Sequence, residues 1–240
     1  MLIKTQAIVL HHFPYSDSGK IVNLYTKSDG RISVLARGKG KSATLKTPLL
    51  QPFTLLDITL DSKPNRNIQY VKESAPLAIF TSIPFNPVKS AITLFLAEIL
   101  YKTLREQHSD EKLFNFLNYS IQFFDKCENG TGNFHLIFLF EFSRYLGFFP
   151  NITNYNQGAF FDLQNGILCQ DCPPHNFFLS KDETKAFINL MRFNYQTMHL
   201  LKLSRLQRQT ILEQITLFFR IHLPEIGTIK SLDILKQIFE

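Results

Sequence analysis

Residues 20–46 read KIVNLYTKSDGRISVLARGKGKSATLK, and this stretch decides which kind of fold opens the chain. In residues 31–37, apolar and polar side chains alternate, which is the pattern of a strand with one face on a core. Residues 21–26 form another strand just before it, and the Asp29-Gly30 pair between them tolerates the positive φ of a tight turn. The stretch therefore predicts a β-hairpin that runs into a loop rich in glycine and lysine.

The loop after the hairpin is positively charged, and residues 32–55 contain no acidic residue. Gly38 and Gly40 let the backbone approach a ligand closely, while lysine side chains make point-charge contacts with phosphates that carry no base information. A polyanion such as nucleic acid suits this loop, but a solvated hairpin tip is the alternative, because short basic runs are common on surfaces. The predicted backbone contacts are Arg37, Lys39, Lys41 and Lys46, with Arg31 and Lys20 in a secondary role.

The charge of the chain is concentrated in its first third. The 240 residues are 45% apolar and 19% charged, as in globular proteins, with a net charge of +6. Residues 1–80 hold 11 Lys and Arg against 5 Asp and Glu, which gives 11 − 5 = +6, while the remainder holds 15 of each. A basic small domain on a neutral body is typical of a nucleic-acid binder. A membrane surface is the weaker alternative, because no basic amphipathic helix occurs there.

Residues 1–80 are predicted to form a small β-barrel domain. Further strands are predicted at residues 3–11, 53–60 and 68–74. Five short antiparallel strands with a basic loop between the third and fourth fit a five-stranded OB-fold barrel, and an SH3-like barrel is the alternative. Phe13 and Tyr15 lie where the first strand gives way to a turn predicted at residues 14–20, and they either stack on bases or are buried in the barrel.

Beyond residue 80 the chain is predicted to be helical, because prolines end the strand pattern and apolar residues then recur at helical spacing. Residues 81–150 and 179–240 form the helical domain, and residues 151–178 form an insert that interrupts it. Most of the 24 phenylalanines fall in this part, at the spacing of core positions rather than of base-stacking platforms. Helices are predicted at residues 88–107, after a cap at Asp110, at residues 133–146, after capping boxes at Ser180 and Ser204, and after Ser231.

A basic rim on the helices is a candidate partner site. Lys202, Arg205 and Arg208 can border an apolar groove between helices, which would accept an acidic peptide ending in an apolar residue. A solvated helix face explains the same charges, so both interpretations stay open.

Cys169 and Cys172 form the one metal-like spacing of the sequence, and His175 follows them. A structural zinc site needs four ligands, so a single C-x-x-C supplies half of one, and no second pair exists. The sequence also lacks phosphate-loop, nucleophile-elbow and paired-carboxylate motifs. We therefore expect no catalysis and no cofactor, with zinc at these three residues as the weak alternative.

The expected compartment is the cytoplasm. Three cysteines do not make a disulfide framework, and the N-terminus lacks the layout of a signal peptide. No apolar run approaches the length of a membrane span, so no membrane partner is expected.

Four segments of the chain resemble the RecO family of bacterial DNA repair and recombination mediators. Three of them lie in the predicted barrel, and the fourth precedes the predicted insert. They read TQAIVL at residues 5–10, KIVNLYT at residues 20–26, GRISVLARG at residues 30–38 and YLGFFP at residues 145–150.

The resemblance covers essentially the whole chain and implies an N-terminal OB-fold, a helical domain and a zinc-binding insert. It also implies binding to single- and double-stranded DNA, strand annealing, and recombinase loading in the RecF pathway at the nucleoid. The implied partners are RecR and the acidic tail of single-stranded DNA-binding protein. A non-enzymatic scaffold that contacts DNA only within a complex is the alternative function.

The insert departs from the family pattern. Asn154 and Gln157 stand where the family commonly has its first C-x-x-C, and neither amide is a normal zinc ligand. The family's metal is therefore not expected, and Phe160, Phe161 and Ile167 are predicted to supply a small apolar core instead.

Overall fold

The structure is a computed structural model that describes residues 1–16, 19–37, 44–63, 65–153, 156 and 158–238. A closed β-barrel comes first, and helices with a small sheet between them follow, which confirms the predicted fold class. The strands of the barrel are β1 (Leu2–Ser16), β2 (Gly19–Thr26), β3 (Gly30–Arg37), β4 (Leu55–Asp61) and β5 (Ile68–Pro76). The later elements are α1 (Pro87–Thr103), α2 (Glu111–Lys126), α3 (Phe134–Tyr145), β6 (Phe160–Asp162), β7 (Ile167–Cys169), β8 (Phe178–Leu179), α4 (Lys181–Leu190), α5 (Arg205–His222) and α6 (Ser231–Ile238).

The barrel closes in the order β1-β2-β3-β5-β4, with β3 and β5 parallel and the other neighbours antiparallel. This is the OB-fold arrangement, and it decides against the SH3-like alternative. Alternate residues of the strands point inward, as the period of two requires, and their side chains are almost completely buried. The barrel core includes Val9, Val22, Leu24, Val34, Leu56 and Ile58.

Strand β1 is longer than the alternation predicts. The sequence suggests a turn at residues 14–20, but β1 continues to Ser16 and pairs with β2 as far as Gly19. Pairing with β4 stops at Ile8, so Pro14 lies where β1 has a neighbour on one side only. A proline is tolerated at such an edge because its missing N–H removes no bond from a second ladder.

Capping residues set the helix ends much as predicted. The backbone N–H of Leu113 donates to Asp110 at the start of α2, and both predicted capping boxes, at Ser180 and Ser204, are present. Helix α3 is buried on nearly every side, as its continuous apolar sequence predicts. Helix α1 ends at Thr103, four residues before the predicted end.

Contacts at Gly30 and at Asp125 help to position the segments that follow the barrel. Gly30 has a φ of +65°, and a Cβ there would lie 2.2 Å from the carbonyl oxygen of His108, so only glycine lets the β2–β3 hairpin approach this backbone. Asp125 at the end of α2 accepts hydrogen bonds from the backbone N–H groups of Thr81, Ser82 and Ile83. These bonds hold the segment between β5 and α1 against α2.

The chain divides into two compact units. One comprises residues 1–126 and 229–235, and the other comprises residues 127–228 and 236–240. The predicted boundaries at residues 80, 150 and 178 stay predictions. Among the helices that the structure describes, none has the length and hydropathy needed to cross a bilayer.

Candidate nucleic-acid interface

The predicted basic loop is described at its two ends. Strand β3 ends at Arg37, and Lys39 and Lys41 lie outside the described residues. The chain resumes at Thr44, whose carbonyl accepts a hydrogen bond of 2.7 Å from the Ser74 hydroxyl of β5. This bond fixes the returning end of the loop beside β5, so Lys46 has a defined place on the barrel surface.

Lys46 and Lys72 face the same open groove on the barrel. The groove has a volume of about 430 Å³ and is also lined by Thr44, Pro48 and Glu73. Both lysines are exposed, and neither forms an ion pair with a residue that the structure describes, so with Glu73 these side chains give the groove a net positive charge. Sequence reasoning did not select Lys72. Lys72 lies on β5, the strand beside the returning end of the basic loop, and this position is the signal that could have identified it.

The side chain of Arg31 binds the C-terminal end of helix α1. Its guanidinium donates to the carbonyl oxygens of Tyr101 at 2.9 Å and Leu104 at 3.3 Å, and it lies 4.4 Å from the centre of the Tyr101 ring. Its other nitrogen donates to Asn23. These bonds satisfy carbonyls at the end of α1, where a positive charge is favourable. Arg31 therefore fastens α1 to the barrel, and we leave it out of the DNA contacts proposed below.

Lys20 lies near the mouth of the barrel. It pairs with Pro14 and Ala36 and shares a strand face with the core residue Val22. His12 pairs with Val22 and so lies on the same face. This register puts Lys20 diagonally across from His12, and the pKa of His12 is lowered by burial first and by the charge of Lys20 second. Lys20 keeps its secondary role as a proposed contact at this mouth.

Phe13 and Tyr15 are not buried in the barrel. They are 38% and 60% exposed, and His11 on the same strand is an exposed residue as well. The centres of the His11 and Phe13 rings are 6.2 Å apart. Of the two interpretations left open by the sequence, burial in the barrel is therefore wrong.

The three residues of the predicted partner rim differ in their surroundings. Lys202 and Arg205 are exposed beside Leu200 and Leu206, whose side chains are 60% and 72% exposed. Arg208 instead donates to the Asn133 side chain at 3.2 Å and to the Leu203 carbonyl at 3.3 Å. The exposed surface at the start of α5 thus combines two basic and two apolar side chains.

The predicted metal-ligand candidates of the insert do not cluster in the part of the chain that the structure describes. That part contains no group of three or more His, Cys, Asp or Glu side chains placed to hold a metal ion. Burial, together with the charges of Asp162 and Asp171, raises the pKa of the Cys169 thiol. His175 is directed to the Asp162 carboxylate at 3.3 Å. That the insert binds no zinc therefore stays a prediction.

Hydrogen bonds at Asp162 and aromatic packing hold the insert together. Asp162 accepts from the backbone N–H groups of Gln164 and Asn165 and from the Asn165 side chain at 2.6 Å. Phe161 is fully buried, and Phe160 packs edge-on against Phe178. Ile167 is exposed, so its predicted place in the small core is wrong; strand β7 turns it to solvent.

Comparison with known proteins finds a family model for each of the two parts of the chain. A family model described as "Recombination protein O N terminal" matches residues 1–80, and one described as "Recombination protein O C terminal" matches residues 84–233. Proteins named "DNA repair protein RecO" from Phocaeicola vulgatus and Bacteroides fragilis are 41% and 42% identical to this chain. A protein of the same name from Porphyromonas gingivalis is 31% identical. All three matches cover 100% of both chains.

Proposed function

The chain belongs to the RecO family of DNA repair proteins, and from this premise we propose that it acts as a recombination mediator. It binds single- and double-stranded DNA, promotes the annealing of complementary strands, and helps to load a recombinase onto DNA coated by single-stranded DNA-binding protein. This role makes and breaks no covalent bond, so the protein acts without catalysis. Its place of action is the cytoplasm, at the nucleoid.

The observation that carries this proposal is the groove shared by Lys46 and Lys72. Two available lysines on one side of a barrel suit a chain of phosphates, because each neutralised phosphate releases condensed counterions. Arg37, Lys39 and Lys41 precede this groove in the chain and extend the proposed contact, and Lys20 adds to it. Annealing follows from the same charges, since neutralised phosphates on two strands repel each other less.

The surface at the start of α5 is the proposed partner site. Leu200 and Leu206 offer exposed apolar contacts on either side of Lys202 and Arg205 in the sequence, which matches an acidic peptide that ends in an apolar residue. The acidic tail of single-stranded DNA-binding protein is such a peptide. Arg208 supports this surface from within through Asn133. RecR is the second proposed partner, and we assign it no surface.

Annealing of two complementary oligonucleotides tests the proposal. We expect the wild-type protein to accelerate annealing, both on bare strands and on strands coated by single-stranded DNA-binding protein. Lys46→Gln combined with Lys72→Gln should slow both reactions severalfold, because the strands lose two phosphate contacts. Lys112→Gln combined with Lys126→Gln is the matched control, since it removes the same charge from exposed positions on α2.

The coated strands separate DNA binding from partner binding. Lys202→Glu combined with Arg205→Glu should slow annealing of coated strands only, and removal of the acidic tail from the coating protein should have the same effect. Absence of acceleration on bare strands, together with tail-dependent capture of the coating protein, would overturn the mediator role and favour the scaffold alternative.

A further inference from the structure

Strand β1 carries three exposed aromatic rings near its C-terminal end. They belong to His11, Phe13 and Tyr15, which we call the aromatic stripe. The aromatic side chain of the neighbouring strand β2, Tyr25, is buried, so exposed aromatic side chains that follow one another along β1 stand out. Rings with open faces are the groups on which unpaired bases stack.

The strand register shows on which side of the barrel the stripe lies. His12 pairs with the core residue Val22, so His11 and Phe13, which pair with Asn23 and Ile21, lie on the outer face. A bulge between Val9 and His11 sets this register, and a second one between Pro14 and Ser16 contains Tyr15. The outer face near Asn23 is where Arg31 holds α1. The stripe therefore begins at α1 and runs away from it.

A pocket of about 470 Å³ opens beside the first ring of the stripe. Its apolar wall includes Leu94 and Ile234, both partly exposed, and His11 stacks on the Tyr101 ring at 4.8 Å at its side. Lys102 and Lys230 also line it. This volume is in the range of small-ligand sites and exceeds that of one base.

The acidic residue of this pocket is already engaged. The Glu98 carboxylate accepts hydrogen bonds from the backbone N–H groups of Lys230 and Ser231 and pairs with Lys102 at 3.4 Å. It thereby caps the first turn of α6. Because Lys102 pairs with Glu98, the lining of the pocket carries one net positive charge, and Lys230 supplies it towards a phosphate.

We propose that the aromatic stripe and the adjacent pocket bind unstacked bases of single-stranded DNA, with a base entering the pocket beside His11 and a neighbouring phosphate on Lys230. This inference rests on the proposed function and deepens it, since the Lys46 groove contacts only backbone. A preference of the protein for single-stranded over duplex DNA would then originate in these rings, because the bases of a duplex are stacked on each other and offer no free face.

Three observations favour a single strand over an acidic peptide here. A peptide anchor needs one apolar pocket, whereas exposed aromatic side chains continue along β1 from the pocket to Tyr15. Burial lowers the pKa of His11, an effect that Glu98 opposes and Arg31 reinforces, so the imidazole is a neutral stacking ring at pH 7. Lysines beside aromatic rings are the combination that single-strand binders use.

Binding to three fluorescent probes of equal length tests the inference. The probes are an oligo-dT strand, an abasic strand with the same phosphates, and a blunt duplex. We expect Phe13→Ala combined with Tyr15→Ala to weaken oligo-dT binding by at least about fivefold, the effect of losing one stacked base. Binding of the abasic strand and of the duplex should be unchanged, because neither presents a free base.

Two control variants keep this test specific. Phe13→Leu combined with Tyr15→Leu preserves apolar bulk, and it should lose oligo-dT affinity as well, since a leucine offers no ring to stack on. Tyr119→Ala removes an exposed ring from α2, which lines no part of the pocket, and should bind all probes as the wild type does.

Lys230→Gln tests the proposed phosphate contact. It should lower the salt slope for oligo-dT by about 0.7.

The outcomes distinguish this inference from the proposed function. If the wild type binds oligo-dT and the abasic strand equally, phosphate binding stands and the stripe has no role in recognition. Equal loss on all three probes in the double variants would also overturn it. If an acidic peptide binds in a Phe13-dependent manner and oligo-dT does not, the surface is a peptide site. If the wild type binds none of the DNA probes, both proposals fail.

Discussion

Asp125 is a buried carboxylate on which three backbone N–H groups converge. Asp125→Asn replaces one oxygen with an amide that cannot accept, so one or more of these donors loses its partner. We expect the free energy of unfolding at pH 7 to fall by about 1–3 kcal/mol, the cost of an unsatisfied buried group. Denaturant unfolding of the full chain measures it, with Asp171→Asn at an exposed position as the control.

The same residue makes stability depend on pH. Desolvation by burial opposes ionisation of Asp125, but the hydrogen bonds from Ile83, Thr81 and Ser82 outweigh it and lower the pKa of Asp125. Its contribution is therefore complete above the unfolded-state pKa of about 3.9 and is lost as the pH falls through the lower folded-state pKa. Asp125→Asn should remove this acid-sensitive part, and an unchanged stability between pH 7 and pH 3 in both proteins would contradict the assignment.

At the scale of residues, the sequence identified the charged side chains but not the groups that they contact. Arg31 and Arg208 look like surface cations in the sequence, yet both donate to groups about seventy positions away along the chain. Such pairings depend on tertiary structure, so no local pattern contains them. Lys72 was missed for the converse reason, since its neighbour in space is Lys46, across the barrel groove.

At the scale of elements, the insert contains a small three-stranded sheet, and we predict that it folds without metal. Strand β6 is central, with β7 and β8 on either side, and Asp162 at its end accepts the hydrogen bonds that close the β6–β7 turn. Asp162→Asn should lower the free energy of unfolding by about 1–3 kcal/mol, because it weakens several of these bonds at once. Addition of a chelator should leave the melting temperature of the wild type unchanged.

Replacement of the cysteines checks this account of the insert. Cys169→Ser combined with Cys172→Ser should change stability little, and added zinc should not raise the melting temperature of the wild type. A fall of several degrees on chelation, abolished in the cysteine variant, would show that Cys169 and Cys172 bind a metal ion after all.

The elements themselves were predictable where local chemistry defines them. Capping residues and apolar periodicity gave the positions of α2, α4 and α5, because these signals lie within a few residues of each helix end. The extension of β1 and the two-residue strand β8 were not predictable. Their pairing is with distant segments, and Pro14 is normally a sign that a strand has ended.

At the scale of the whole molecule, the net charge of +6 lies in residues 1–80, which the structure folds into one barrel. The composition of this segment was sufficient to predict a polyanion partner, and the sequence pattern was sufficient to predict a barrel. The sequence did not show that the barrel surface carries two separate regions, the groove at Lys46 and Lys72 for the DNA backbone and the aromatic stripe on β1. The strand register was needed to distinguish them. A period-two pattern states which residues share a face but not which face is covered.

The most direct test of DNA backbone binding is the affinity of the purified chain for a labelled single-stranded oligonucleotide across a salt series. We predict a linear log-log dependence with a slope of about −0.7 for each phosphate neutralised. Lys46→Gln combined with Lys72→Gln should make that slope shallower by about 1.4, two phosphates at about 0.7 each, and Lys112→Gln combined with Lys126→Gln should leave it as it is. A wild-type slope near zero, or a slope that the Lys46 and Lys72 replacements do not change, would contradict the account.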